Sequence, residues 1–414
     1  MPRARCGTWN RKWKPKVVNG CDDGWRKSSR PKPSATAEFF PHSQRKAHHR
    51  RTEAMRLRTA FGVVVLKVWH GKDPGDSHWG CPIRERWGLG PHQQLSPALE
   101  DKLAYFGTVT VSYEAAAKLA AKVGIGVEDS TLRALVQRLG AKAEAQTQVR
   151  LGTAPVEKQP QRAATPLAVL LLDGFQVRFR GPGWGKHKTA KARVEWHEEK
   201  LGVFYRQEQS GGKEHGELLE KVVVGWVGES LELSRRLHWE AQRGGLGRAR
   251  DVLAVADGAP WIWNTVGDRW PQAHQMLDFY HASQHLWNLG QALHPRDEAT
   301  RRGWVEARLH RLRHGQEAAV LREVATLPRR RGEVGKVIRR EQNYFADQSG
   351  RMNYQTLARR GWPIGSGAVE SACRSRQCRC KGRGQFWTRM GLRHLDALTE
   401  ARDHGHWDAL WLTA

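Results

Sequence analysis

The chain has 414 residues, with 69 Lys and Arg against 42 Asp and Glu, a formal charge of +27. That length allows two or three domains with at least one substantial core, and the surplus of positive charge points to a polyanionic partner, DNA or RNA. The 6 cysteines are too few and too uneven for a disulfide framework, which suits a reducing cytoplasm, and no apolar run approaches the ~18 residues that would span a membrane.

Residues 1–58 read as a basic arm, rich in Pro, Ser and His, without periodicity and without an apolar signal segment; the expectation is disorder with contacts to phosphates. Cys6 and Cys21 lack the Cys-x2-Cys pairing of a zinc site. Thr59–Trp69 (TAFGVVVLKVW) reads as a strand or hairpin. His70, His78 and Cys81 are close enough in sequence to share a metal, but surface loop histidines are the commoner arrangement. The expected N-terminal domain is 59–143.

From Ser96 the period becomes helical. Ser96-Pro97 opens one helix, Ser112 caps a second over Tyr113–Lys122, and Asp129 or Ser130 caps a third through Leu139. Helix, Gly-containing turn and helix form a helix-turn-helix pattern. In a basic chain its exposed Glu128, Thr131, Arg133 and Gln137 would face a DNA groove. A helical hairpin that only packs has the same pattern. Residues 144–165 are polar and read as a linker.

Leu167–Leu172 (LAVLLL) is the clearest buried strand, ending at Asp173-Gly174, with a second strand over Phe175–Arg180. Val252–Ala256 is another buried strand, ending at Asp257-Gly258; Gln275–Leu277 ends the same way at Asp278. Strands first and helices later, with acids at strand ends, fit an α/β core of the ribonuclease H kind. Its first part would be 166–281, with a helical insertion over 282–360. The C-terminal part, 361–414, would place Glu370 in the first turns of a helix capped by Ser366. Arg374, Arg376, Arg379, Lys381 and Arg383 read as a basic strip for DNA. Cys373, Cys378 and Cys380 have the wrong spacing for zinc and read as thiols without a metal.

Transfer of a phosphodiester at neutral pH suits a pair of Mg2+ ions, which take oxygen ligands. Asp173, Asp257 and Glu370 would supply those ligands, with Mn2+ as a possible substitute for Mg2+. His281 would position the scissile phosphate or a water. Asp278 reads equally well as a helix cap, and His281 as a packed histidine.

Three segments carry a family resemblance: ADGAPWIW (Ala256–Trp263), LDFYHASQHLW (Leu277–Trp287) and PIGSGAVESACR (Pro363–Arg374). They resemble the ISKra-type insertion-sequence transposases of the Mutator-like DDE group, over about Thr59 to Trp411. The resemblance implies a ribonuclease H-like domain interrupted by a helical insertion, an Asp–Asp–Glu triad at Asp173, Asp257 and Glu370, and a Cys/Asp-x2-His motif at Asp278 and His281. It also implies a bacterial cytoplasmic protein, nucleoid-associated when bound to DNA. Such a protein binds terminal inverted repeats and target DNA as a dimer or larger assembly. The rival expectations are a non-catalytic repressor derived from such an element and a structure-specific nuclease on the same fold.

Overall fold

The computed structural model describes residues 38–75, 77–90, 93–156, 167–185, 193–208 and 217–411. Cys6, Cys21 and most of the expected N-terminal arm lie outside them. Contacts divide the chain into two compact units, one of residues up to Arg58 with Val63–Gln94, the other of Thr59–Gly62 with Leu95–Ala414.

The first unit holds β1 (His48–Thr59), β2 (Gly62–Lys72) and β3 (Trp79–Gly80) in one sheet, then α1 (Pro82–Arg86). Its small core is Met55, Leu57, Val68, Cys81 and Leu89. The expected strand over Thr59–Trp69 thus lies at Gly62–Lys72, and β1 occupies a segment expected to be an unstructured arm. The reason is composition: β1 reads HHRRTEAMRLRT and buries only Met55 and Leu57, so its arginines hide the period of two. His70 stacks on Trp79 at 6.1 Å, and Cys81 is buried beside α1. Neither is placed as a metal ligand.

The second unit opens with α2 (Pro97–Val109), α3 (Tyr113–Lys122) and α4 (Asp129–Leu151). Ser96 Oγ accepts from Leu99 N (3.3 Å) and Ser112 Oγ from Ala115 N (3.0 Å), so both expected caps form. These helices belong with the larger unit, not with the preceding strands.

Helix α4 also runs on to Leu151, through the first third of the expected linker. Several of its polar residues bond to one another and to neighbouring elements. Glu144 accepts from Arg236 at 2.6 and 3.1 Å and from Gln148 at 2.8 Å, and Arg393 adds a second cation. Arg236 and Arg393 lie over the Trp226 ring, each 4.4 Å from its centre. Burial opposes ionisation of Glu144, but these hydrogen bonds prevail and hold its carboxyl down at about 2, against an ordinary 4.5. A depressed carboxyl contributes stability above its unfolded value, and that contribution is lost as pH falls through the folded value. Acid unfolding of the wild type should therefore show a steep loss between about pH 4.5 and 2 that Glu144→Gln flattens. Thermal melts across that range check it.

The sheet of this unit comprises β4 (Leu167–Arg180), β5 (Val194–Glu208), β6 (Glu217–Val227), β7 (Asp251–Ala256) and β8 (His274–Leu277). Its order is β6-β5-β4-β7-β8. The pairs β4/β5 and β5/β6 are antiparallel, while β4/β7 and β7/β8 are parallel. The expected strand end at Asp173-Gly174 is not there, and the two expected strands are one. Strand β4 is continuous and pairs with β5 from Leu167↔Gln207 to Arg180↔Val194. Gly174 pairs with Lys200 inside that strand, and the Glu198 side chain on β5 lies over the space a Cβ would take, 2.6 Å away.

Side chains alternate across this sheet. Ala168, Leu170, Leu172, Val252 and Ala254 pack with α5 (Ser230–Arg243) and α6 (Pro260–Arg269). Val169, Leu171, Leu253 and Val255 join a larger core on the other face. That face is covered by α12 (Gly367–Cys380), α13 (Arg389–Asp403) and α4, with α7 (Phe279–Leu293) leading away from β8. Between α7 and α12 come α8 (Glu298–Arg313), α9 (Glu317–Ala325), α10 (Gly332–Asp347) and α11 (Tyr354–Arg359), the helical stretch expected over 282–360. The fold is mixed α/β with a mixed sheet between helical layers. Among the described residues no helix is long and apolar enough to cross a membrane.

Candidate active site

Strand register assembles the site. Leu172 pairs with Ala256, and Ala256 with Leu277. The next residue on each strand is Asp173, Asp257 and Asp278, one acid on each of three adjacent parallel strands. Asp173 and Asp257 keep the odd parity of Leu171 and Val255, so both belong to the face covered by α12.

The three acids have different environments. Asp278 is wholly buried and accepts from Tyr280 N (2.5 Å), His281 N (3.0 Å) and Ser366 N. It is the cap of α7 and a latch for the segment before α12, so its oxygens are used up by backbone. Phe279 N donating to Ile364 O (3.0 Å) completes that latch. Gly365 is required there, since a Cβ would meet the Tyr280 ring at 2.8 Å.

Asp173 Oδ1 accepts from Gly174 N (2.6 Å), and Cys373 Sγ on α12 donates to its Oδ2 (3.2 Å). Burial, aided by the charge of Asp257, raises its pKa against the pull of those hydrogen bonds and of His281. Burial also pushes the Cys373 thiol well up, with Asp173, Glu199 and Glu370 adding to the shift. The thiol therefore stays protonated and serves as a donor.

Asp257 Oδ1 accepts from Ala259 N (2.9 Å). The turn that follows is clamped by α10, because Tyr344 donates to Asp257 O (2.6 Å) and Gln348 Nε2 to Gly258 O (3.1 Å). Trp263 Nε1 in turn donates to Gln348 Oε1 (2.9 Å). Gly258 has φ +101°, and a Cβ would lie 3.1 Å from the Tyr344 ring, so both its backbone and its surroundings call for glycine. Glu370 is exposed in the first turn of α12 and accepts from Ser366 Oγ (2.9 Å). Ser366 thus supports Glu370 instead of capping the helix through its side chain.

Asp173 thus lies within β4 and Asp257 just past the end of β7, with the charges of Asp257 and His281 felt at Asp173, while α12 carries both Cys373, which donates to Asp173, and Glu370, which accepts from Ser366. The carboxylate oxygens of Asp173, Asp257 and Glu370 are hard donors that fit a hard cation. Among the described residues, no three Asp, Glu, His or Cys side chains are arranged closely enough to hold a metal ion. Asp173 and Glu370 are instead held by local hydrogen bonds.

The expected DNA-contacting residues divide. Arg133, Arg374, Lys381 and Arg383 are exposed, and Thr131 is half-buried at the start of α4. Gln137 is not available: its amide donates to Gly391 O (2.9 Å) and its oxygen meets His394 Nδ1 (3.1 Å). Arg376 is not on a surface strip either. It lies between Glu199, at 3.0 Å, and Asp396. Arg379 is only 8% exposed, with its guanidinium 4.5 Å from the Tyr113 ring centre and 5.5 Å from that of Trp387. Helical spacing put all these cations on one helix but could not show that α12 turns two of them inward. Tyr344, Gln348 and Cys373 were not foreseen as site residues, and only the nearness of Cys373 to Glu370 hinted at a role.

No family model and no curated protein matches the chain. Among solved structures, the Drosophila P element transposase strand transfer complex is similar at 12% identity, covering 79% of this chain and 83% of that one, with a TM-score of 0.28.

Proposed function

We propose that the chain is a DNA transposase that cleaves and joins DNA at Asp173, Asp257 and Glu370. The observation that carries this reading is the register that brings Asp173 and Asp257 side by side, under the helix bearing Glu370. The strand order β6-β5-β4-β7-β8, three antiparallel strands and then two parallel ones, supports a ribonuclease H-like core. The helices α7–α11 are the insertion, and α3 with α4 the helix-turn-helix.

A pair of Mg2+ ions, or Mn2+, would ready the attacking oxygen and stabilise the leaving one. Asp173, Asp257 and Glu370 would hold them. The pair suits that task because burial and the charge of Asp257 both leave the Asp173 carboxylate in need of a counter-cation. His281 would position the scissile phosphate or the water. Cys373 and Tyr344 would orient Asp173 and the Asp257 turn. Thr131, Arg133, Arg374, Lys381 and Arg383 would contact DNA.

In the first step a water oxygen bonds to phosphorus, the P–O3′ bond breaks, and the O3′ leaves with a proton as a free hydroxyl. In the second, that hydroxyl attacks a target phosphodiester, losing its proton as the target's own P–O3′ bond breaks. Holding two ends together calls for at least a dimer.

The test is incubation of the purified chain and Mg2+ with DNA carrying the short inverted repeats that flank its gene. Nicks at the repeat ends and products joined to target DNA are expected. Binding without nicking contradicts the proposal and leaves a DNA-binding protein. Nicking without joining leaves a nuclease.

A further inference from the structure

A groove of about 830 Å³ lies between the first turns of α3 and α4 and the loop that follows α12. Its lining includes Arg133, Arg180, Arg379, Arg383, Phe386 and Trp387. Two acids, Glu114 and Asp129, also reach it, and Glu114 is neutralised by Lys118 at 2.6 Å. Arg133, Arg180 and Arg383 form no ion pair among the described residues. The volume lies in the range of about 300–1,000 Å³ that takes one small ligand, so a duplex could touch the rim but not enter.

The floor is where the groove departs from an ordinary surface cleft. Arg379 is more than nine-tenths buried, and its Nη1 makes only a long 3.4 Å hydrogen bond to Val111 O. Its Nε and Nη2 meet no acceptor in good hydrogen-bond geometry among the described residues, and the polar group beside them is the Tyr113 hydroxyl. A buried guanidinium with one long hydrogen bond and no carboxylate beside it is costly. Its burial lowers the Arg379 pKa from the usual value. Acceptors entering from the groove would relieve both.

At the rim the half-buried Phe386 ring is fixed by Trp184, with ring centres 4.8 Å apart, and by Arg178, whose guanidinium lies 5.0 Å from its centre. A fixed aromatic ring beside several arginines is the combination that binds unpaired bases, the ring stacking on the base and the cations meeting the phosphate.

We infer that this groove receives an unpaired nucleotide of the bound DNA, its phosphate or base edge on Arg379 and Arg383 and its base against Phe386. Its position relative to the cut rests on the cleavage reading above. Arg379 follows Glu370 by nine residues on α12, about 14 Å along the helix at about 1.5 Å per residue. At the duplex spacing of about 3.4 Å per nucleotide that is at most about four nucleotides from the scissile phosphate, and fewer for an extended unpaired strand.

The experiment compares the full chain on two labelled DNAs, in chelator, by fluorescence anisotropy. One is a blunt duplex and the other the same duplex with a short unpaired dT arm. The arm should tighten binding about ten-fold, and Phe386→Ala and Arg379→Gln should each remove most of that gain. Phe386 lies at the rim, so its replacement reads out even if the Arg379 variant fails to fold. Equal affinity of the wild type for both DNAs, or a Phe386→Ala loss that is the same on both, overturns the inference. Nicking by the same preparations separates the two ideas. Nicking without arm preference overturns the groove alone, and arm preference without nicking overturns the proposed chemistry alone.

Discussion

Asp173→Asn should lower metal-dependent DNA cleavage by at least about a thousand-fold, about 4 kcal/mol of transition-state stabilisation, while making the protein more stable. The opposite signs follow from one environment. Asparagine keeps an oxygen to accept from Gly174 N, which Asp173 now does at 2.6 Å, and gives up only the weak thiol hydrogen bond from Cys373, so the local fold survives. It removes a negative charge that burial and Asp257 both disfavour. A carboxyl whose folded pKa is raised contributes stability below its unfolded value, near 3.8 here, and loses it as pH rises through the folded value. At neutral pH the carboxylate is therefore a net cost to folding, and its removal raises the Tm. The gap between variant and wild type should widen as pH rises from the unfolded value near 3.8 through the folded one and then level off. A cation would offset the same cost. Mg2+ at about a hundred times its Kd stabilises a specific site by about 2.7 kcal/mol, so Mg2+ should raise the Tm of the wild type and hardly move that of the variant. Loss of activity together with loss of stability would make Asp173 a structural residue.

Arg376→Ala should destabilise the chain by about 3–5 kcal/mol, the usual result of leaving buried charges without their partner. Arg376 sits between Glu199, wholly buried, and Asp396, 4% exposed. Burial resists its charge, but the two carboxylates hold its pKa well above the usual arginine value. Asp396 suffers the converse, with burial pushing its carboxyl up against the pull of Arg376. Arg376→Lys should recover only part of the loss, because an ammonium cannot present the planar fork that reaches both acids. Chemical denaturation checks the magnitude. A DNA-binding defect with unchanged stability would return Arg376 to the surface strip that helical spacing suggests.

Local signals in the sequence proved readable. Ser96 and Ser112 cap helices because each needs only its own next few residues. The strand ends at Asp257 and Asp278 follow from short apolar runs, and Asp278 takes the capping role that its position before α7 allowed. Long-range pairing was not readable. Asp173-Gly174 resembles a turn until β5 pairs straight across it. The segment from Glu144 resembles a linker until Arg236 and Arg393 arrive from 92 and 249 residues away. Gln137, Arg376 and Arg379 belong on a polar helix face by composition, but their partners lie on α13, β5 and α3. The clamp of Tyr344 and Gln348 on the Asp257 turn crosses 87 and 90 residues of chain, a separation that no local pattern encodes. The candidate site shows the same division: its acids are visible in the sequence, while most of the residues that hold them in place are not.

The most direct measurement is a crystal of the chain soaked in Mn2+, with anomalous scattering locating the metal. The account predicts Mn2+ among Asp173, Asp257 and Glu370, with Glu370 released from Ser366 to reach it and Asp278 still bound to backbone. Saturating Mn2+ that leaves these three carboxylates unligated, or that binds only elsewhere, would contradict it.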